Sequence, residues 1–139
     1  MAVTTVRRTR TTLVSYWICT VLVTAELAVG GVWDVLLIPS VRETADHLRF
    51  PTYALVILGI WKLCAVPVLL SPRLPLIKEW AYAGIVFAGL TMITSHFWTG
   101  YQTAEVAVTA VLLILTAASW ALRHPSRRLE GTYPALRRS

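Results

Sequence analysis

The sequence predicts an all-α integral membrane protein, an antiparallel four-helix bundle with its N- and C-termini cytoplasmic. Three observations carry that expectation. Four apolar runs, residues 13–37, 53–70, 80–98 and 104–122, are each long enough as helices to cross roughly 30 Å of hydrocarbon. Hydrophobic residues make up 56% of the chain and charged ones only 14%, with a mean hydropathy of +0.63, which excludes an ordinary soluble domain. The basic residues fall mainly at the two ends, and the formal net charge is +6.

Residues 1–12 are polar and hold Arg7, Arg8 and Arg10. A cleaved signal peptide would follow such a start with a short apolar core, but here the run continues to Leu37, about twice too long. An uncleaved first span is expected. The connection 38–52 contains Pro39, Pro51 and His47, and its two basic residues, Arg42 and Arg49, are balanced by Glu43 and Asp46. The second span ends at Ser71-Pro72-Arg73-Leu74-Pro75, where proline blocks continuation. Lys78 and Glu79 then precede the third span. An uncharged linker, 99–103, leads into the fourth, and a basic tail, 123–139, follows with Arg123, Arg127, Arg128, Arg137 and Arg138. Uncompensated basic charge at both ends and in the second connection places those segments in the cytoplasm by the positive-inside rule. In this setting the arginines read as topology signals and contacts to anionic lipid, not as a nucleic-acid surface.

The second span decides where to look for a site. Its eighteen residues, about 27 Å of helix, carry one charge, Lys62, near the middle. A lysine at that depth costs about 2.5 to 3.5 kcal/mol on insertion scales, so something inside the protein should answer it. Glu26 is the expected partner, because the two residues lie roughly 16 and 14 Å from the non-cytoplasmic ends of spans joined by a short connection. Such a pair either fixes helix register or handles a ligand or proton. Asp34, His96 and Glu105 each stand within about a turn of the same end of their helices, which suggests a polar mouth on the non-cytoplasmic side.

Helical phase predicts a shared polar interior. Glu26, Gly30, Trp33, Asp34 and Leu37 fall on one face of the first span. Tyr82, Ile85, Gly89, Met92 and His96 do so on the third, and Glu105, Thr109, Leu112, Thr116 and Ser119 on the fourth. Gly59, Ala81, Gly84 and Ala88 permit close helix approach, and such small-residue faces also make self-association an option. Catalytic candidates are therefore Glu26, Lys62, Asp34 and His96. Trp33, Trp61, Tyr82, Met92 and Glu105 are candidates for contact with a substrate or ligand, whereas Trp17, Trp80, Trp98 and Trp120 read as interface anchors near span ends. His96, beside Phe97 and Trp98, reads equally as an interfacial side chain. Cys19 and Cys64 form no Cys-x-x-Cys, and the sequence holds no metal motif, nucleotide loop or nucleophile elbow.

The runs Gly59-Ile60-Trp61-Lys62-Leu63, Ser71-Pro72, Leu76-Ile77-Lys78-Glu79-Trp80-Ala81-Tyr82-Ala83-Gly84 and Ser95-His96 resemble the DoxX-like family of small four-helix membrane proteins. The opening Tyr16-Trp17 and the Gly-x-x-Asp from Gly31 to Asp34 add to the resemblance, which covers roughly residues 13–122. Glu26 lies outside these motifs. The family name comes from a subunit of an archaeal thiosulfate:quinone oxidoreductase. The resemblance thus implies membrane redox or quinone-linked metabolism, a quinone as the candidate cofactor, a membrane oxidoreductase as the candidate partner and a bacterial inner (cell) membrane as the location. Two functions follow as expectations. One is an accessory subunit with a quinone or lipid pocket floored by Lys62 and Trp61. The other is a small enzyme doing acid–base chemistry, such as isomerisation, cyclisation or epoxide opening, on an apolar substrate. Transport ranks below both, because few polar residues line the cytoplasmic half of the spans.

Overall fold

A computed structural model describes residues 10–101 and 104–123. The first nine residues, Gln102 and Thr103 of the uncharged linker, and the basic tail beyond Arg123 lie outside the described residues. The described chain is helical in five pieces: α1 (Arg10–Leu36), α2 (Pro39–Leu48), α3 (Thr52–Leu70), α4 (Pro75–Thr99) and α5 (Ala104–Leu122). All but α2 are long and apolar enough to cross a membrane.

Two boundaries differ from the sequence reading, both at proline. The connection after the first span contains the ten-residue helix α2, which opens on Pro39, and α4 opens on Pro75, so that Lys78 and Glu79 lie inside α4 and not ahead of it. Proline lacks an N–H and has φ fixed near the helical value, so it blocks a helix interior but suits a first turn. Two left-handed residues, Leu37 (φ 50°) and Arg49 (φ 58°), bracket α2 and fold it back over the bundle. Gly100 (φ 69°) terminates α4 in the same conformation.

α1 is the central element, packed along α3 on one side and α5 on the other, while α4 packs on α5. The closest crossing is between α1 and α3, where a Cβ on Gly59 would stand 2.7 Å from the Gly31 carbonyl oxygen. Only glycine permits that approach. The apolar core gathers Val23, Leu27, Leu69, Tyr82 and Ile85. A polar seam ties three helices beneath it, with Ser119 Oγ 2.8 Å from both Thr20 Oγ1 and Tyr82 Oη. Thr20, Thr24 and Thr116 also donate to carbonyls four residues back, so their hydroxyls stay satisfied away from water. Outward faces carry Trp61, Trp80, Phe87 and Trp98, as a lipid-facing surface should.

Candidate functional site

Lys62 is answered from α1, but by Asp34. Its Nζ lies 2.8 Å from Asp34 Oδ2, an ion contact between two largely buried side chains. The expected pairing with Glu26 is thereby corrected, and helix direction gives the reason. Side chains lean toward the N-terminus of their helix. α3 starts at the α2 end of the bundle, so Lys62 leans that way, past the Glu26 carboxylate beside Gly30, to Asp34 one turn further along α1. Counting depth by Cα overlooks this displacement. The crossing glycines set the contact: Asp34 follows Gly31, and Lys62 follows Gly59, by three residues each.

Glu26 nevertheless stays close. Its Oε1 and the Lys62 Nζ stand 3.2 and 3.4 Å from the point where a Gly30 Cβ would sit. Among the described residues Glu26 Oε2 has no hydrogen-bond partner. Both Glu26 and Lys62 face a slot of about 400 Å³ between α3 and α4, with further walls from α1 and α5. The volume lies within the range of small-molecule sites. The α3 wall includes Leu58, Cys64 and Val68, and the α4 wall includes Ile77, Gly84 and Met92. Ile77 to Met92 is fifteen residues, about 22 Å along α4, so the space is long rather than wide. A Cβ on Gly84 would meet nothing within 4 Å. Trp61 (71% exposed) and Trp80 (72%) line the slot and also face outward, which makes them its rim on the lipid side.

The other sequence-predicted residues divide. Met92 lines the slot. Trp33 is 50% exposed on α1 and is not among the slot's lining residues. The buried face of α1 runs through Tyr16, Thr20, Val23, Thr24, Leu27, Gly31 and Asp34, about one residue round from the stripe centred on Glu26. Tyr82 is buried in the seam, with the Arg123 guanidinium 5.0 Å from its ring centre. His96, fully buried, stands 3.7 Å from Glu105 Oε2, well separated in pairing from Asp34, which goes to Lys62. Instead of an open mouth, this end carries α2: Thr44 donates to Glu105 Oε1 at 3.0 Å, and His47 stacks on Tyr101 at 4.2 Å. His96 meets the same Tyr101 ring edge-on.

At the opposite end a second cluster escaped the sequence reading. Glu79 receives Arg123 Nη2 at 2.6 Å and Trp120 Nε1 at 2.8 Å, which ties the start of α4 to the end of α5. Arg123 had read as the first residue of a solvated tail, yet it is buried. The signal available was that Glu79 and Arg123 stand at the same end of antiparallel spans, one beside the start of the third and the other beside the end of the fourth. Among the described residues no three His, Cys, Asp or Glu side chains converge as metal ligands.

The model of the DoxX-like family matches residues 18–119. The chain belongs to the DoxX-like family. Among curated proteins and solved structures none matches it. As a DoxX-like protein with four apolar helices, it is an integral, multi-pass membrane protein. The matched span contains the whole slot, with Glu26, Asp34 and Lys62.

Proposed function

We propose that this DoxX-like protein binds an apolar molecule taken from the bilayer, a quinone or a lipid, and serves membrane redox metabolism as an accessory subunit. It does so from a bacterial inner membrane, with both termini cytoplasmic. The slot between α3 and α4 carries the binding half of this reading: an apolar space of ligand size, open past Trp61 and Trp80, with charged side chains among its described lining residues at Glu26 and Lys62. Pockets of that character, mostly apolar with a few convergent polar groups, are the usual form of small-molecule sites. The redox half rests on the family resemblance, and the cytoplasmic placement of the termini on the positive-inside arrangement of the arginines.

Quinones and brominated acyl chains quench tryptophan on contact, which gives the test. Titration of a prenylated quinone or a brominated lipid into the protein in nanodiscs should quench its fluorescence saturably. Replacement of both Trp61 and Trp80 by Phe should remove most of the saturable component while Trp17, Trp98 and Trp120 keep the linear one. Quenching that rises without saturation, and equally in both proteins, contradicts the binding role. Co-isolation with an oxidoreductase under mild detergent tests the accessory role separately.

One observation favours a second reading, acid–base catalysis on an apolar substrate: among the described residues, Glu26 has a carboxyl oxygen without a hydrogen-bond partner and lines the same slot. Glu26 would move the proton and Lys62, held by Asp34, would stabilise developing negative charge. Incubation with membrane lipid extracts should then change their mass spectrum, and Glu26→Gln and Lys62→Met should each abolish the change. Unaltered turnover in both variants eliminates it.

A further inference from the structure

Where the polar groups sit along the slot restricts what can occupy it. The Cα atoms of Glu26 and Lys62 lie ten residues from the α2 end of their helices, but their charged atoms stand beside Gly30, six residues or about 9 Å from that end. The slot continues from them toward the α3–α4 turn, past Gly84 and Ile77 to Trp80 at the rim. An amphiphile with its polar head at Glu26 and Lys62 would therefore hold that head about 9 Å inside the hydrocarbon, with its tail toward the opposite membrane surface. A phospholipid keeps its head at the interface. Heads that are strongly hydrated stay at the interface, because a charge carried to that depth costs several kcal/mol.

Charge narrows the choice further. The Lys62 ammonium is already met by Asp34 at 2.8 Å, and the next polar group facing the slot is a second carboxyl, Glu26. One cation between two carboxyls leaves no positive charge for an anionic head. A hydroxyl suits the site: its O–H can donate to Glu26 Oε2, which has no other partner among the described residues, and its oxygen can accept from Lys62. The long, narrow space favours one extended chain over two.

Resting on the binding role proposed above, we infer that the slot takes a neutral, hydroxyl-headed, single-chain molecule, head inward between Glu26 and Lys62, and rejects fatty-acid anions and phospholipids. A long-chain alcohol and a prenylated hydroquinone share this chemistry. Glu26 is the specificity-determining residue, through its acceptor oxygen and its charge.

The test uses the full chain in nanodiscs and the tryptophan signal, with hexadecanol, hexadecanoate, and a prenylated hydroquinone beside its quinone form as probes, each competing against a brominated alkyl alcohol. Hexadecanol should compete at least tenfold better than hexadecanoate. The hydroquinone should outcompete its own quinone, which lacks the donor, if the phenolic molecule is the source, and should fall below hexadecanol if the alkyl alcohol is. Glu26→Leu, which removes the acceptor and the charge without adding a polar group, should weaken hexadecanol about tenfold and strengthen hexadecanoate, so that the preference disappears. Thermal unfolding of the variant, measured alongside, confirms that it is folded. Hexadecanoate competing as well as hexadecanol in the unsubstituted protein overturns the inference and leaves the binding role standing, as does a preference unchanged by Glu26→Leu. Failure of every probe, with no saturable quenching by the brominated alcohol itself, overturns the binding role and the inference with it.

Discussion

At the α1–α3 crossing a Cβ on Gly59 would stand 2.7 Å from a backbone carbonyl, whereas a Cβ on Gly84, on the α4 wall of the slot, would meet nothing within 4 Å. The same residue type serves opposite ends. Glycine in a helix costs about 1 kcal/mol relative to alanine. At Gly59 that cost is offset by close packing, which also brings Asp34 and Lys62 together. At Gly84 no protein contact offsets it, because the space that the absent side chain leaves is empty of protein. One region of α3 is sealed and the other is kept open, and the ion pair lies where the two meet.

Substitutions break the comparison in order of effect. Asp34→Ala should be the most damaging, because it removes the carboxylate bonded to Lys62 and leaves only Glu26 near that charge in hydrocarbon; a loss of about 3 kcal/mol is expected in denaturant titrations in micelles. Adding Lys62→Met should recover most of it. Gly59→Ala should cost about 1 to 3 kcal/mol, since neither the Gly31 carbonyl nor the Asp34 Cβ can move without parting the helices. Gly84→Ala should have the opposite sign, a gain of about 0.4 to 1 kcal/mol from helix preference alone. Destabilisation by Gly84→Ala would show that the α4 wall is packed after all. The smallest effect should be kinetic: Cys64, exposed and on the slot wall, should react more slowly with a lipophilic maleimide when hexadecanol is present, while Cys19 on α1 should not change.

Four spans were legible because apolar runs of this length between proline clusters have no other stable solution in a membrane. The intramembrane lysine was legible for the same energetic reason, and the search for an acidic companion on the first span led to the right helix. Its identity was hidden, since Asp34 and Glu26 are separated by two turns and only the lean of Lys62 toward the start of α3 favours Asp34. α2 was hidden because residues 38–52 were read as a connection, although a proline such as Pro39 suits the first turn of a helix. Trp33 was misplaced by a stripe drawn through Glu26, which lies at the edge of the buried face of α1 and not at its centre. Tyr82, on the predicted face of α4, turns to Ser119 and Arg123 in the seam, whereas Met92 on that same face reaches the slot.

The central claim is that the space beside Gly84 exists to be occupied. Mass spectrometry of the small molecules released on denaturing the purified protein addresses it most directly, with the Gly84→Leu variant as the control, since a leucine there fills the slot without meeting other residues at its Cβ. The account predicts a single amphiphile retained in near-stoichiometric amount by the unsubstituted protein and lost from Gly84→Leu, with both proteins equally folded. The same lipid profile from both, in bulk membrane proportions, would contradict it.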